Sequence, residues 1–298
     1  MRESPVWAVV ALPFALALLV YAAAALDAVL AGGGFRDPLY EGVRLLVQQR
    51  RRTLAPDRLL TRIGVVALPL AAVLGAVVVP LGGRAVADLT VGVVWFNAME
   101  VVVWGAVWLA GWGANSAYGL VGGYRFVAQG LAYELPHMFA LITAALGAGS
   151  LRVDEIAHAQ GGLWFAVWMP VAFAVYLLSA VAMAFWGPLG HPAGNDLAGG
   201  AAVELTGPDR LVFLAGRYLL LVVAAAMAVP LFLGGDGGPL LPGWLWTLLK
   251  TGAVLAVLVW SRQWLPALRM DRFMTAAWTV LIPATLLQML VVGIVVLD

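Results

Sequence analysis

Four residues with acid–base chemistry lie inside long apolar runs: Glu100, Glu134, His137 and Lys250. Placing an acid or base at the centre of an apolar helix in a bilayer costs about 2.5–3.5 kcal/mol on insertion scales, so such groups are seldom kept without a partner or a task. Glu134 and His137 are three apart and share one helical face, and Asn97 and Glu100 repeat that spacing in another run. Pro136 lies between Glu134 and His137 and removes a backbone donor there. Arg125 and Gln129 precede this pair in the stretch 110–136, AGWGANSAYGLVGGYRFVAQGLAYELP, which joins two apolar segments through a short polar loop. Asp27 and Arg217 fall nearer the ends of other runs. Two readings of these groups are open. They form a chain of protonatable side chains and water between helices, a proton path. Or each acid pairs with one base and only holds helices together. Several titratable groups buried in a chain so poor in charge favour the first.

The elements that must position them are membrane helices. The chain is 63% hydrophobic and 11% charged, with a mean hydropathy of +0.95. Several runs of about 20 residues carry almost no polar face, the length that crosses a bilayer core as a helix. The fold class expected is all-α, a single polytopic membrane domain over residues 1–298. The absence of cysteine excludes a disulfide frame and any iron–sulfur cluster or thiolate zinc held by this chain. With three histidines, and His158 and His191 in loops, no metal site is expected. A net charge of +1 suggests no nucleic-acid partner. No G-x-x-x-x-G-K-[ST] or G-x-G-x-x-G follows a strand, so the glycine-rich pieces at 31–34, 199–200 and 234–238 read as loops.

Eight spans are expected, at 5–30, 62–80, 91–112, 127–148, 162–186, 211–233, 243–260 and 273–297. The first exceeds a signal-peptide core and reads as a span, not a cleaved signal. The odd-numbered loops hold thirteen arginines, Arg52 and Arg125 among them, against three on the other face. That asymmetry puts the odd loops in the cytoplasm and both termini outside, in a multi-pass inner (plasma) membrane protein. After the first span, Leu39, Val43, Leu46 and Val47 fall on one face of a helix with arginines beside it. Such a segment lies on the membrane surface as an amphipathic helix.

Spaced identities across most of the chain resemble the H-type membrane subunit of respiratory complex I, the proton-pumping NADH:quinone oxidoreductase. They include Asp37-Pro38, Gly42 and Arg44-Leu45-Leu46, then Asp88-Leu89 and Val91-Gly92. The best-marked block is Ala110-Gly111-Trp112, Asn115-Ser116, Gly122-Gly123, Arg125, Ala128-Gln129, Tyr133-Glu134 and Pro136. Near the end, Trp260, Arg262, Pro266, Arg269, Asp271 and Met274 match W-x-R-x-x-x-P-x-x-R-x-D-x-x-M. The resemblance implies a membrane anchor for a hydrophilic redox arm, with partner subunits and lipid around it. It implies no cofactor bound by this chain, and quinone as the substrate of a site shared with other subunits. It also implies a buried polar path coupling quinone chemistry to proton translocation. Glu134 is then a proton-path acid, Arg125 its tuning partner or a loop anchor, and Lys250 a second titratable group. Arg262, Arg269 and Asp271 would form a cytoplasmic docking cluster.

Departures from the family are also plain. Its arginine-rich loop after the first span is absent, since Leu30 runs through AGGGFRDP to the surface helix. Its acidic run after the fifth span is reduced to AMAFWGPLGHPAGND, keeping Pro188 and Pro192, with Asp196 in place of one acid. Glu204 and Gly207 remain from the next motif, and Glu204 joins Glu134, Arg125, Lys250 and Glu100 as a candidate for the proton path or its tuning. Glu100 has no family counterpart, and the hypothesis is that it replaces the acid lost from the fifth span. The alternatives are a structural or assembly membrane protein without quinone activity, and the anchor of a membrane-bound hydrogenase.

Overall fold

A computed structural model of the chain describes residues 6–51, 53–194 and 200–297. Arg52 and Asp196 lie outside the described residues. The first apolar run forms α1 (Val6–Leu30). A tight turn at 31–36 leads to α2 (Asp37–Val47), where Pro38 in the first turn is tolerated because no helical partner awaits its missing N–H. Leu45 packs inward from α2, fully buried, while Leu39, Val43, Leu46 and Val47 face away from the bundle. This is the amphipathic surface helix expected from the sequence, with its apolar face left for the membrane. On its outer side Arg44 Nε donates to Glu41 Oε2 at 2.7 Å, and that guanidinium holds the Glu41 carboxyl below its ordinary range.

Asp57 caps α3 (Arg58–Ala76), accepting from the Leu59 and Leu60 amides at 3.0 Å each. α3 pairs closely with α4 (Gly92–Gly113). A Cβ on Gly64 would stand 2.4 Å from the Ala110 nitrogen and 2.5 Å from the Ala106 carbonyl, so the two backbones nearly touch. In lipid, where burying apolar surface gives little drive, such small-residue contacts supply the packing. α5 (Ala117–Ala148) follows a turn of only 114–116 and runs 32 residues, about 48 Å. Gly149 ends it in the left-handed conformation, with the Ser150 amide bonded back to the Ala145 carbonyl at 3.1 Å. The fourth span thus begins ten residues before the expected 127, which places Arg125 inside a helix and not in a loop.

The expected fifth span is broken. A short α6 (Val153–His158) precedes α7 (Phe165–Trp168) and α8 (Pro170–Met183). Pro170 forces Met169 out of helical geometry, to φ −119 and ψ 52, and so separates α7 from α8. α8 alone has 14 residues and spans only about 21 Å. Seven helices among the described residues are long and apolar enough to cross a membrane, and α8 is a shorter apolar helix beside them.

α9 (Gly207–Phe232) is the centre. Every residue from Leu219 to Phe232 is buried, which is why this helix is hydrophobic all round. α1, α2, α3, α6, α8 and α10 (Gly243–Trp264) pack on it, while α5 packs on α4 and α8. The last span is α11 (Met270–Ala276), a wider π-turn at Ala277–Leu281, and α12 (Ile282–Leu297), which lies against α5.

Candidate proton-transfer site

The polar groups of α4 and α5 meet in the interior. Asn97 Nδ2 donates to Glu134 Oε1 at 2.8 Å, and His137 Nε2 stands 3.1 Å from Glu100 Oε1. The two i, i+3 pairs face each other across the α4–α5 contact. Glu100 is 2% exposed, His137 0% and Glu134 8%. Tyr176 from α8 lies beside the imidazole, ring centroids 5.3 Å apart, and its hydroxyl donates to the Ala224 carbonyl of α9 at 2.8 Å. Phe96 closes the site at 6.4 Å from the imidazole. Four helices therefore surround two carboxyl groups and one histidine, well away from lipid.

The neighbours hold this arrangement in place. Trp104 Nε1 donates to the Tyr133 hydroxyl at 3.1 Å. Gly130 makes room for that indole, since a Cβ there would stand 2.4 Å from its ring. Gln129 Nε2 donates to the Ala182 and Leu189 carbonyls at 2.7 and 3.2 Å, tying α5 to the end of α8. Pro136 leaves the Ala132 carbonyl without its helical donor next to Glu134. Both Glu100 oxygens, Glu134 Oε2, Asn97 Oδ1 and both His137 nitrogens are buried without a well-formed hydrogen bond among the described residues. Buried polar atoms in this number are met by bridging water where there is room for it. Chemically, the arrangement can bind, store and pass protons. No group of three His, Asp or Glu side chains suits a metal ion among the described residues.

The other expected residues are placed elsewhere. Arg125 is half-buried nine residues before Glu134, about 13 Å along α5. The Glu134 carboxyl is bonded instead by the Asn97 amide of α4. Asn97 was visible in the sequence as part of a face shared with Glu100, but its pairing with Glu134 depends on how α4 and α5 cross.

Lys250 is buried at the opposite end of the bundle from the arginine-rich loops. Its Nζ donates to the carbonyls of Leu233, Gly235 and Gly237 at 2.8, 3.0 and 2.7 Å, and it stands 4.7 Å from the Trp164 ring centroid. All three ammonium protons are committed to the turn after α9, so Lys250 is not joined to the Glu100–Glu134 group. Its arrangement is that of a fastener. Lys250→Met keeps the stem and removes the donors, leaving the buried Gly235 carbonyl unsatisfied. The expected loss is about 2–3 kcal/mol, read as a lower melting temperature of the detergent-solubilised protein, with unaltered proton transfer in whatever fraction remains folded.

The expected docking trio does not form one cluster. Arg269 and Asp271 make an exposed pair at 3.1 Å. Arg262, itself partly exposed, reaches from the last turn of α10 to α1, where its Nη1 meets the buried Asp27 Oδ2 at 2.5 Å. Tyr218 donates to the same oxygen at 2.9 Å. Arg217 donates to the Ala184 and Phe185 carbonyls at 3.3 and 2.6 Å, closing the end of α8, and both guanidiniums lie on the buried Trp186 ring. The composition and charge pattern gave no sign of this hub, because its five residues come from four separate segments. Glu204 accepts from the Ser116 hydroxyl at 2.6 Å. It lines a shallow pocket with Arg50, Arg51, Arg58, Arg62 and Asp209, at the arginine-rich end.

The sequence matches a family model described as NADH dehydrogenase over residues 28–293. It is 36% identical over 271 residues to an H-type subunit of NADH-quinone oxidoreductase from Geobacter sulfurreducens, 87% of this chain and 82% of that protein. It is 37% identical over 267 residues to an H-type subunit of NADH-quinone oxidoreductase from Rhodopseudomonas palustris, 88% of this chain and 83% of that protein. With a match across most of its length and a membrane bundle closed around buried carboxyls, the chain belongs to the NADH dehydrogenase family.

Proposed function

We propose that this chain is the membrane coupling subunit of a complex I-like NADH:quinone oxidoreductase. It anchors a hydrophilic redox arm and carries protons through its interior in step with quinone chemistry. The observation that supports this most is the group Asn97, Glu100, Glu134 and His137, enclosed by four helices and rich in unmet polar atoms. Ionisable groups inside a membrane bundle mark a pathway by default, and these, unlike Lys250, are not all tied to fixed partners. Arg50, Arg51, Arg58 and Arg62 around Glu204 offer a charged surface for the arm at the arginine-rich end. That end faces the cytoplasm in this reading, which puts both termini outside. Quinone binds at a site shared with the arm, and no redox centre resides in this chain.

A second reading, an assembly protein without quinone activity, is favoured by the short 31–36 turn between α1 and α2, where a longer loop would be needed to wall a quinone chamber. Purification of the native protein in mild detergent separates the two. We expect cluster-bearing subunits to co-purify and the complex to reduce an added short-chain quinone. Co-purification without quinone reduction supports the assembly reading, and an isolated chain overturns both.

A further inference from the structure

The geometry points to His137 as the proton carrier that joins Glu100 to Glu134, making Glu100 a working station of the path. This rests on the coupling reading above and deepens it.

Three observations carry it. His137 Nε2 lies 3.1 Å from Glu100 Oε1, within reach of a proton hop, while Glu134 projects from the same face of α5 one turn earlier. The contact is enclosed: His137 is fully buried between Phe96 and Tyr176, and Glu100 is buried against it from α4. Neither partner is otherwise saturated, since His137 Nδ1, Glu100 Oε2 and Glu134 Oε2 have no hydrogen bond among the described residues. A purely structural acid–base pair would have its remaining lone pairs and protons met by fixed donors and acceptors. Lys250 illustrates a saturated structural group in this same molecule, its three protons all committed to fixed carbonyls. Around His137 the groups are instead left open, as a relay needs.

The step balances without any co-reactant. The carboxylic proton of Glu100 passes to Nε2, and the proton on Nδ1 passes through a bridging water to the Glu134 carboxylate. Glu100 ends ionised, Glu134 ends protonated, and the imidazole ends neutral as the other tautomer. The net charge of the group does not change, so no charge is created at low dielectric. Reorientation of the ring resets the histidine for the next proton, whereas the reverse hop would only undo the transfer. Tyr133 of α5 and Tyr176 of α8 border the route; the Tyr133 hydroxyl accepts from Trp104 and the Tyr176 hydroxyl donates to Ala224.

The test uses the whole complex reconstituted in liposomes, reading protons moved per electron alongside quinone reduction. The Glu100→Gln/His137→Gln double variant keeps two hydrogen-bonding neutral groups of similar size in contact but cannot relay a proton. Glu100→Gln alone is the milder companion, should the double variant fail to assemble. We expect assembled complex, continuing electron transfer and a fall of about tenfold or more in the rate of coupled proton delivery. Full proton stoichiometry in either variant overturns the relay. Glu134→Gln in the same assay distinguishes the failures. If it uncouples the enzyme while Glu100→Gln does not, only the histidine step is wrong. If it too pumps fully, the coupling reading itself is wrong.

Discussion

Glu134→Gln is expected to leave the protein folded and assembled while abolishing coupled proton movement. The amide oxygen that the substitution introduces can still accept from Asn97 Nδ2, which now bonds the Glu134 carboxyl at 2.8 Å, so the α4–α5 contact keeps its shape. What disappears is the ability to take up and release a proton. Glu134 lies near the middle of α5, beside the bond gap opened by Pro136 and one turn from His137. No other carboxyl group stands at that point of the helix to take over. The measurement is proton uptake into vesicles during NADH oxidation, with the oxidation rate and subunit composition recorded in parallel. Undiminished pumping would remove Glu134 from the mechanism. Loss of the protein from the membrane would mark it as a structural residue.

Gly64→Leu is expected to have the largest effect on the fold. The added Cβ would lie 2.4 Å from the Ala110 nitrogen and 2.5 Å from the Ala106 carbonyl. Both are backbone atoms of α4, so no rotamer change relieves the clash, and α3 must withdraw along the contact. The penalty exceeds the about 1–3 kcal/mol of ordinary overpacking, where side chains can adjust. α3 also packs on α9, so displacement reaches the centre of the bundle. The expected result is a membrane level of the protein well below normal, because forced withdrawal of α3 removes a large share of a folding stability of only about 5–15 kcal/mol. Gly105→Ala is the control, because a Cβ there meets nothing within 4 Å. Its stability should be unchanged or slightly raised, since alanine favours the helix. Equal amounts of Gly64→Leu and Gly105→Ala protein would show that the close α3–α4 approach does not matter.

Much of the frame was legible from residue types. The apolar runs announce helices because lipid leaves no other way to satisfy the backbone. The spacing of Leu39, Val43, Leu46 and Val47 announces the surface helix, and α2 presents that face outward. The broken fifth span was signalled by Pro170, but a run of apolar residues from 162 to 186 masked the break. Hydropathy averages over about twenty residues, whereas one proline acts on its immediate neighbour. The early start of α5 was hidden for the opposite reason. Gly119, Gly122 and Gly123 look like a loop, yet they are where α5 comes close to other backbone, at Gly111, Trp108 and Ala201.

Composition and spacing were enough to establish a membrane helical bundle, its surface helix, and the acids and histidine that had to be shielded from lipid. Helical periodicity also showed which of them share a face. The tertiary structure alone decided the partners: Asn97 for Glu134, His137 for Glu100, three carbonyls for Lys250 and Asp27 for Arg262. The physical reason is that a helix fixes neighbours within about a turn of itself. Contacts between helices depend on crossing points set by small residues such as Gly64, Gly111 and Gly130, whose effect is felt only once two backbones meet.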